Sequence, residues 1–264
     1  MPELPEVETV RRRVAEQVTR ARIVGMRVVD EGVIRGIGAR ELTSLAVDGR
    51  ISDVVRHGKQ LFLVLEGGGA ITVHLGMTGD LMVRARSAPS RFDRVVLELD
   101  NGEDLVFEDM RKFGAVGWTE GKDSFLSGHG LGPDAQLVSK KEFVSRVGRR
   151  KTAIKIVLLD QHVVAGIGNL YADEVLFQAR IHPLRPAQEL DEDELGRLWK
   201  AIRRVLRASV RVSTDFDSLP RSFLLRNRRA GETCPRRNGI LESIRVTGRT
   251  TIYCPTCQWM PRNG

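Results

Sequence analysis

The sequence predicts an α+β protein with a strand-rich N-terminal half and a helical C-terminal half. Short apolar runs separated by hairpin-type turns fill residues 23–118, whereas an apolar stripe with a helical period occupies residues 191–210. All three cysteines lie near the C-terminus, after residue 233. Because a chain of 264 residues forms two domains more often than one, we expect two domains followed by a small cysteine-bearing segment.

The N-terminal half begins with a predicted helix over residues 6–18. Valines at a helical spacing form its apolar side: Val7, Val10, Val14 and Val18. Predicted strands follow at residues 23–29, 61–65, 70–75 and 95–99, and the glycine-rich turns 67–69 and 100–102 are typical of hairpins. This pattern indicates a sandwich or a barrel of antiparallel strands.

The C-terminal half follows a glycine-rich connecting segment at residues 124–137. The helix over residues 191–210 begins with acidic residues, and its C-terminal part carries an arginine cluster typical of a solvated face: Arg203, Arg204, Arg207 and Arg211. We predict a domain over residues 1–125, a linker over 126–138, a helical domain over 139–230 and a hairpin over 231–264.

Composition favours a nucleic-acid partner. The net charge is +8 with a pI near 9.8, which favours a polyanion, and the small aromatic content favours duplex over single-stranded DNA. No apolar run approaches the roughly 18 residues of a membrane span, so we expect no membrane partner. Three clustered cysteines predict a reducing cytoplasm and a metal site rather than disulfides.

The N-terminus carries a candidate nucleophile. If Met1 is removed, Pro2 becomes a terminal secondary amine with the acid Glu3 beside it. A terminal amine is far less protonated at neutral pH than a lysine, so it suits Schiff-base attack on a carbon such as C1′ of a nucleotide. The alternative is that Pro2 and Pro5 only start a helix, where proline is tolerated.

Residues 158–174 predict a helix end, a tight turn and a second helix that begins near Asn169. Backbone N–H groups at such a helix start can bind an anion, and Asn169 adds a side-chain donor. The alternative is a helix cap in which Gly166 and Gly168 serve packing only.

Two further segments, residues 74–79 and 109–114, follow predicted strands. Met77 and Phe113 are predicted as exposed apolar tips with Arg111 beside them, a combination that can fill a duplex from which a base has been extruded. The alternative for such apolar residues is a place in the core.

These motifs together resemble the formamidopyrimidine-DNA glycosylases, in the family shared with endonuclease VIII. The resemblance rests on the Pro-Glu-Leu-Pro-Glu-Val-Glu start, His-Leu-Gly-Met-Thr-Gly, Asp-x-Arg-x-Phe-Gly, Leu-Gly-Pro-Asp at 131–134 and the 160–174 run, in one order along the whole chain. It implies an N-terminal helix with an antiparallel β-sandwich, then a helix–two-turn–helix domain that ends in a zinc-finger-like hairpin. It also implies that duplex DNA with a damaged base lies in a cleft between the halves of a monomeric enzyme.

The resemblance also implies residue roles. Pro2 would attack C1′, Glu3 would act as a general acid on the sugar, and Glu6 would support the catalytic terminus. Lys59 would meet the DNA backbone near the lesion, and β- then δ-elimination would follow base loss. The remaining matched positions would contact DNA or lie near the lesion: His74, Met77, Arg111, Phe113, Lys155, Gly168, Asn169 and Arg249.

The sequence departs from the family at the metal site. Cys234, Cys254 and Cys257 match three ligand positions, but Arg237 occupies the fourth, and a guanidinium cannot bind Zn²⁺. Either three thiolates hold zinc weakly with Glu232 or water, or the hairpin keeps its shape without metal. The missing ligand favours the hairpin without tight zinc.

The second departure is a short segment at residues 210–221, where the oxidised-purine branch has a longer capping loop with a Gly-Gly start. We expect a base-excision repair glycosylase and AP lyase that removes formamidopyrimidines and, with less support, 8-oxoguanine. The alternatives are a damage-binding protein without lyase activity, or a relative specialised for oxidised pyrimidines, hydantoins or bulky lesions.

Overall fold

The computed structural model describes residues 1–86 and 88–260, so the last four residues of the predicted hairpin segment, 261–264, lie outside it. The chain divides into two compact units. The first comprises Met1–Pro2 and Glu6–Gly130, and the second comprises Glu3–Pro5 and Leu131–Gly264. The four-part division of the chain that we drew from the sequence stays a prediction.

The first unit is a sandwich of two four-stranded antiparallel sheets, with strand orders β1-β6-β7-β5 and β2-β3-β4-β8. The strands are β1 (Ile23–Val28), β2 (Ile51–His57), β3 (Gln60–Leu65), β4 (Ala70–His74), β5 (Gly79–Ala85), β6 (Asp93–Leu99), β7 (Glu103–Asp109) and β8 (Ala115–Thr119). The helices are α1 (Leu4–Val18), α2 (Ala39–Ala46) and α3 (Lys122–Gly128). The predicted apolar stripe of α1 is buried: Val7, Val10, Val14 and Val18 belong to the core of this unit.

The second unit packs its helices around a separate apolar core. Its elements are α4 (Lys140–Val147), α5 (Ile154–Leu159), α6 (Asn169–Ala179), α7 (Glu192–Arg211), β9 (Glu242–Val246) and β10 (Arg249–Tyr253). The predicted helix at 191–210 is α7, and Asp191 caps it with a complete capping box together with Glu194. No helix in the described ranges has both the length and the apolar character that a membrane span requires.

The hairpin β9–β10 covers a small core of its own in the second unit. The three cysteines lie in it beside Phe177 of α6, Ile252 of β10, and the apolar side chains of Leu224 and Leu241. The predicted α+β fold, with a sandwich, a helical domain and a cysteine-bearing hairpin, is therefore confirmed.

Candidate active site and nucleic-acid interface

In the first unit, the segments that carry Met77 and Phe113 are joined by the buried carboxylate of Asp109. It accepts hydrogen bonds from Thr78 Oγ1 at 2.6 Å and from the backbone N–H of Gly114 at 2.7 Å and of Arg111 at 3.1 Å. Burial opposes ionisation of Asp109, but these donors outweigh it and lower its pKa. Asp109 is therefore an anion that fixes both segments.

The same two segments also approach each other closely at Gly76. Its φ is +61°, and a Cβ at this position would lie 2.4 Å from the backbone nitrogen of Gly114. Met77 and Phe113 are 40% and 57% exposed, and the guanidinium of Arg111 lies 5.0 Å from the centre of the Phe113 ring. The structure thus brings the predicted apolar tips and arginine together at one exposed site.

Lys59 and His74 lie near each other at one end of the sheet β2-β3-β4-β8. Lys59 lies in the β2–β3 turn, and the next residue, Gln60, pairs with His74 on β4. His74 Nδ1 accepts from Gly76 N at 3.1 Å, while burial and the charge of Lys59 lower the pKa of His74. A neutral His74 with its proton on Nε2 therefore lies beside the half-buried Lys59.

The N-terminal residues lie at the start of α1. Pro2 is half-buried, Met1 is 56% exposed, and the half-buried Glu6 lies in the first turn of the helix. An acidic side chain in this turn interacts favourably with the helix dipole.

In the second unit, Glu3 is almost completely buried, and its carboxylate binds the N-terminus of α6. Oε2 accepts from the N–H of Gly168 at 2.6 Å and of Tyr171 at 3.3 Å, and Oε1 accepts from Leu170 at 2.8 Å. The N–H groups at a helix start and the helix dipole both favour an anion here. The acid that follows Pro2 in the chain is therefore held in one orientation.

The two glycines before α6 allow this approach. A Cβ on Gly168 would lie 2.4 Å from Cδ of Glu3, and one on Gly166, whose φ is +116°, would lie 2.6 Å from Cδ1 of Leu4. The N–H of Gly168, predicted to bind an anion at this helix start, is buried and donates to Glu3, so the predicted contact of this helix start with DNA stays a prediction. The site does bind an anion, but the anion is a carboxylate of the chain itself.

Asn169 and Arg249 lie on or beside the hairpin. Asn169 Nδ2 donates to the carbonyl of Thr250 at 3.0 Å, and its buried Oδ1 has no partner among the described residues. Arg249 is exposed at the start of β10, and its guanidinium donates to Thr247 Oγ1 at 3.3 Å. Asn169 thus fixes the hairpin to α6, and Arg249 faces solvent.

Lys155 lies in the interior of the second unit, which is an unusual environment for a lysine. It is fully buried, forms an ion pair with Asp173, and donates to Thr251 Oγ1 at 2.6 Å. Burial lowers the pKa of Lys155, although the charge of Asp173 opposes this. Lys155 thus makes an internal contact with the hairpin, and its predicted position near DNA stays a prediction.

Asp173 completes this contact and was not singled out from the sequence. Its Oδ1 pairs with Lys155, while its Oδ2 accepts from the Arg228 guanidinium and from the N–H of Ile252 at 2.9 Å. The 160–174 run carries no signal of such a role for Asp173, because its partners come from three other segments of the chain.

The short segment after α7 is fixed by Glu174 and Arg226. Arg226 donates to the carbonyls of Leu219 at 2.7 Å and of Asp217, and Glu174 Oε2 accepts from Leu225 N at 2.8 Å. A cavity of about 410 Å³ lies beside this segment. It is lined by Leu170, Phe216, Leu225, Arg226, Asn227, Arg228 and Arg229. Because Leu170 also donates to Glu3, the cavity adjoins the Glu3 site.

The three cysteines form a candidate metal site. Their sulfur atoms lie within 4.8 Å of one another, and those of Cys234 and Cys257 are 3.7 Å apart. Tetrahedral zinc with Zn–S bonds of about 2.3 Å requires a separation of about 3.8 Å, so the thiols fit the ion. Arg237 is exposed, while the Asn238 amide donates to Cys257 Sγ at 3.2 Å. Glu232, which with water was one of two possible fourth ligands, accepts from Asn227 at 2.8 Å and does not belong to the cysteine cluster.

Comparisons with protein families agree with this geometry. Residues 1–116 match the formamidopyrimidine-DNA glycosylase N-terminal domain, and residues 130–218 match the H2TH domain of the same enzymes. The chain is 38% identical to the formamidopyrimidine-DNA glycosylase of Chloroflexus aurantiacus, with 98% of each chain covered. It is also 38% identical to that of Pelotomaculum thermopropionicum, with 98% of this chain and 99% of the relative covered.

Solved structures show the same similarity over the full length. A Lactococcus lactis formamidopyrimidine-DNA glycosylase bound to DNA with an AP site superposes with a TM-score of 0.88 at 27% identity. The same enzyme bound to DNA with a FAPY-dG lesion gives a TM-score of 0.87, and MutM bound to DNA with carbocyclic 8-oxo-G gives 0.88, each at 27% identity. Each alignment covers 98% of this chain and 100% of the solved chain.

Proposed function

The chain belongs to the formamidopyrimidine-DNA glycosylase family, and from this we propose that it is a DNA glycosylase and AP lyase for oxidised purines. Its substrate is duplex DNA that carries formamidopyrimidine or 8-oxoguanine, and it works in the cytoplasm on chromosomal DNA. The observation that carries the proposal is the Glu3 carboxylate, which three backbone N–H groups at the start of α6 hold directly after Pro2.

Pro2 is the nucleophile once Met1 has been removed. Its nitrogen attacks C1′ as the damaged base leaves, and cleavage of the C1′–O4′ bond with protonation of O4′ then opens the sugar and gives an iminium ion. The iminium withdraws electrons from C1′ and acidifies the C2′ proton, so elimination breaks the C3′–O bond and then the C5′–O bond without a metal. Glu3 exchanges protons with the opening sugar, and its fixed orientation suits this role.

The supporting residues act on the terminus and on the DNA backbone. Glu6 supports the α1 start, and Lys59 beside the neutral His74 binds a phosphate near the lesion. Lys155 acts through Asp173 and positions the hairpin, so that Arg249 beside the hairpin turn can reach a phosphate.

Met77, Arg111 and Phe113 fill the duplex after the base has been extruded. Their exposure and close association let them replace the stacking that the extruded base leaves behind, which is worth a few kcal/mol. Asp109 keeps the two segments in register while they do so.

The extruded base occupies the cavity beside Leu170 and the short segment after α7. Guanidinium and amide groups of Arg226 and Asn227 line it, and these donors suit the carbonyl oxygens of an oxidised purine. Because Arg226 and Glu174 hold the segment by backbone contacts, it can cover a base despite its short length.

Cys234, Cys254 and Cys257 hold zinc, which stabilises the hairpin as an open three-thiolate site. Such a site binds zinc more weakly than one with four protein ligands. Arg237→Cys therefore raises zinc affinity, as measured by competition with a chromogenic chelator, while Arg221→Cys, at an exposed position outside the cysteine cluster, does not. Equal affinity of the Arg237→Cys variant and the parent protein would argue against this site.

Borohydride trapping on lesion duplexes tests the proposed chemistry. Protein without Met1 should form a covalent adduct that maps to Pro2, whereas protein that retains Met1 should form none. Glu3→Gln should slow base release by at least about a hundredfold. The exposed Glu16→Gln on α1 serves as a matched control and should leave the rate unchanged.

The ranking of substrates completes the test. We expect adducts on formamidopyrimidine, 8-oxoguanine and abasic duplexes, with less on 5-hydroxycytosine. Lesion-selective binding without an adduct on any duplex would contradict the lyase proposal and leave a damage-binding protein.

A further inference from the structure

A groove along the C-terminal half of α7 carries positive charge that the proposed reaction does not use. It has a volume of about 660 Å³ and lies between one side of α7 and residues Ser218 and Pro220. Its cations are Lys200, Arg203, Arg204, Arg207 and Arg211, and none of the described residues that line it is acidic. These arginines are the cluster that the sequence indicated as a solvated face.

Among the described residues, no salt bridge joins a cation of this arginine groove to a carboxylate, although the charge of Arg204 acts on the buried Glu174. Arg203 donates to the carbonyl of Gln136 at 2.9 Å and lies 5.1 Å from the centre of the Trp199 ring. Arg204 donates to Gln178 Oε1. Within residues 1–86 and 88–260, no ion pair joins any of the five cations to an acidic side chain. Their charge is therefore available to a partner.

The helix dipole explains only part of this cluster. Cations favour a helix C-terminus, but the effect is confined to the last turn. Arg211 lies in that turn of α7, whereas Arg203 and Lys200 lie at least two turns earlier. Lining up like charges along the helix costs free energy, since cations at i and i+4 repel each other. A bound anion would remove this cost.

The floor of the arginine groove distinguishes between anionic partners. It is apolar, with Trp199, Ala208, Val212 and Pro220 exposed to the cavity. A duplex presents mainly phosphates and sugars at its surface, whereas a peptide can place an acidic and an apolar side chain side by side, which suits both the cations and the apolar floor.

The spacing of the arginines also fits a peptide. Arg203, Arg207 and Arg211 recur every four residues, a rise of about 6 Å per step. Side chains on one side of an extended chain recur at about 6.6 Å, so alternate acidic residues can face successive arginines. We propose that the arginine groove binds an extended acidic peptide segment of another protein, with an apolar side chain on the groove floor.

Fluorescence anisotropy with the full-length protein tests the proposal. The probe is a labelled peptide with a run of aspartates followed by Leu and Phe. Arg207→Glu/Arg211→Glu should weaken its binding by at least about tenfold, because both residues are exposed and their reversal turns attraction into repulsion. Arg40→Glu/Lys141→Glu changes the net charge equally at exposed sites outside the groove and should retain binding.

Two comparisons separate this groove from other basic surfaces. A peptide with Ser in place of Leu and Phe should bind several-fold more weakly, and abasic DNA cleavage by Arg207→Glu/Arg211→Glu should match the parent protein. Equal binding of both peptides, no binding of either, or an equal loss of peptide and duplex affinity in the groove variant would overturn the proposal. Self-association that this variant abolishes would also overturn it, because the occupant would then be a second copy of the chain.

Discussion

Gly168 has no side chain, and this allows the Glu3 carboxylate of the proposed site to lie against it. Its backbone is extended, with φ −127° and ψ −161°, so any residue could adopt this conformation. The need for glycine comes from the Glu3 carboxylate, because a Cβ at position 168 would lie 2.4 Å from Glu3 Cδ. The position is therefore constrained by space alone.

Gly168→Ala should consequently displace Glu3 while the fold remains intact. A shift of about 1 Å in a positioned group can cost a hundredfold in rate, so we expect a loss of this size in single-turnover base excision. Gly128→Ala is the matched control, since a Cβ at that glycine meets no atom within 4 Å. An unchanged rate for Gly168→Ala would show that the Glu3 position is not critical.

Gly168 also marks what the sequence could and could not predict about the site. The turn and the helix start predicted an anion site, and the N–H groups there bind the Glu3 carboxylate. The anion was not predictable, because Glu3 lies 165 residues away along the chain and no local pattern links the two. Lys155 and Asp173 show the same limit, since a buried ion pair and two solvated charges look alike in sequence.

At the level of elements, the hairpin β9–β10 is fastened to α6 by charge as well as by its cysteines. Asp173 on α6 binds Lys155 of α5, Arg228, and the backbone of β10 at Ile252. Removal of this carboxylate would leave the buried ammonium group of Lys155 without its anion. Breaking a buried ion pair in this way is strongly destabilising, because the remaining charge is buried and unpaired.

Asp173→Asn should therefore destabilise the second unit by about 3 kcal/mol, the typical cost of breaking a buried ion pair. Urea unfolding measures this loss, and hydrogen exchange at the Ile252 amide should report a loosened hairpin. Glu142→Gln breaks the exposed pair with Arg146 and should cost less than about 1 kcal/mol. Equal losses in both variants would mean that Asp173 does not fasten the hairpin.

In the sheets, the positions of the strands follow from local sequence, whereas their pairing does not. Alternation in the sequence predicted strands close to β1, β3, β4 and β6. It left a sandwich or a barrel open, because that choice depends on pairings between distant strands. The pairing of β1 with β6, for example, joins Ile23 to Leu99 and places β1 at the edge of one sheet.

At the level of the whole molecule, the two units carry carboxylates with opposite pKa shifts. In the first unit, burial of Glu8 is outweighed by hydrogen bonds from Arg11 and Arg12 and by the charge of Arg56, which lower its pKa from 4.5 to about 2. In the second unit, burial raises the pKa of Glu174 from 4.5 to about 7, although Gln178 and backbone N–H groups oppose this.

These shifts predict opposite responses of the two units to acid. The raised pKa of Glu174 means that its contribution to stability is complete below pH 4.5 and is lost as pH rises through 7. The lowered pKa of Glu8 means that its contribution is present above pH 4.5 and is lost as pH falls through 2. The second unit should therefore become more stable as the pH falls from 7 to 5. In strong acid, the sandwich of the first unit should unfold before the second unit does.

Glu174→Gln should remove the gain of the second unit, which amounts to about 3 kcal/mol for a shift of this size. The measurement is hydrogen exchange of α6 amides at pH 5 and pH 8, which reports the second unit separately from the sandwich. The α6 protection of Glu174→Gln, compared with that of the parent protein at the same pH, should be higher at pH 8 than at pH 5. The exposed variant Glu192→Gln should show the protection of the parent protein at both pH values. A pH-independent difference between Glu174→Gln and the parent would mean that Glu174 does not titrate in this range, and that the two units respond to acid for other reasons.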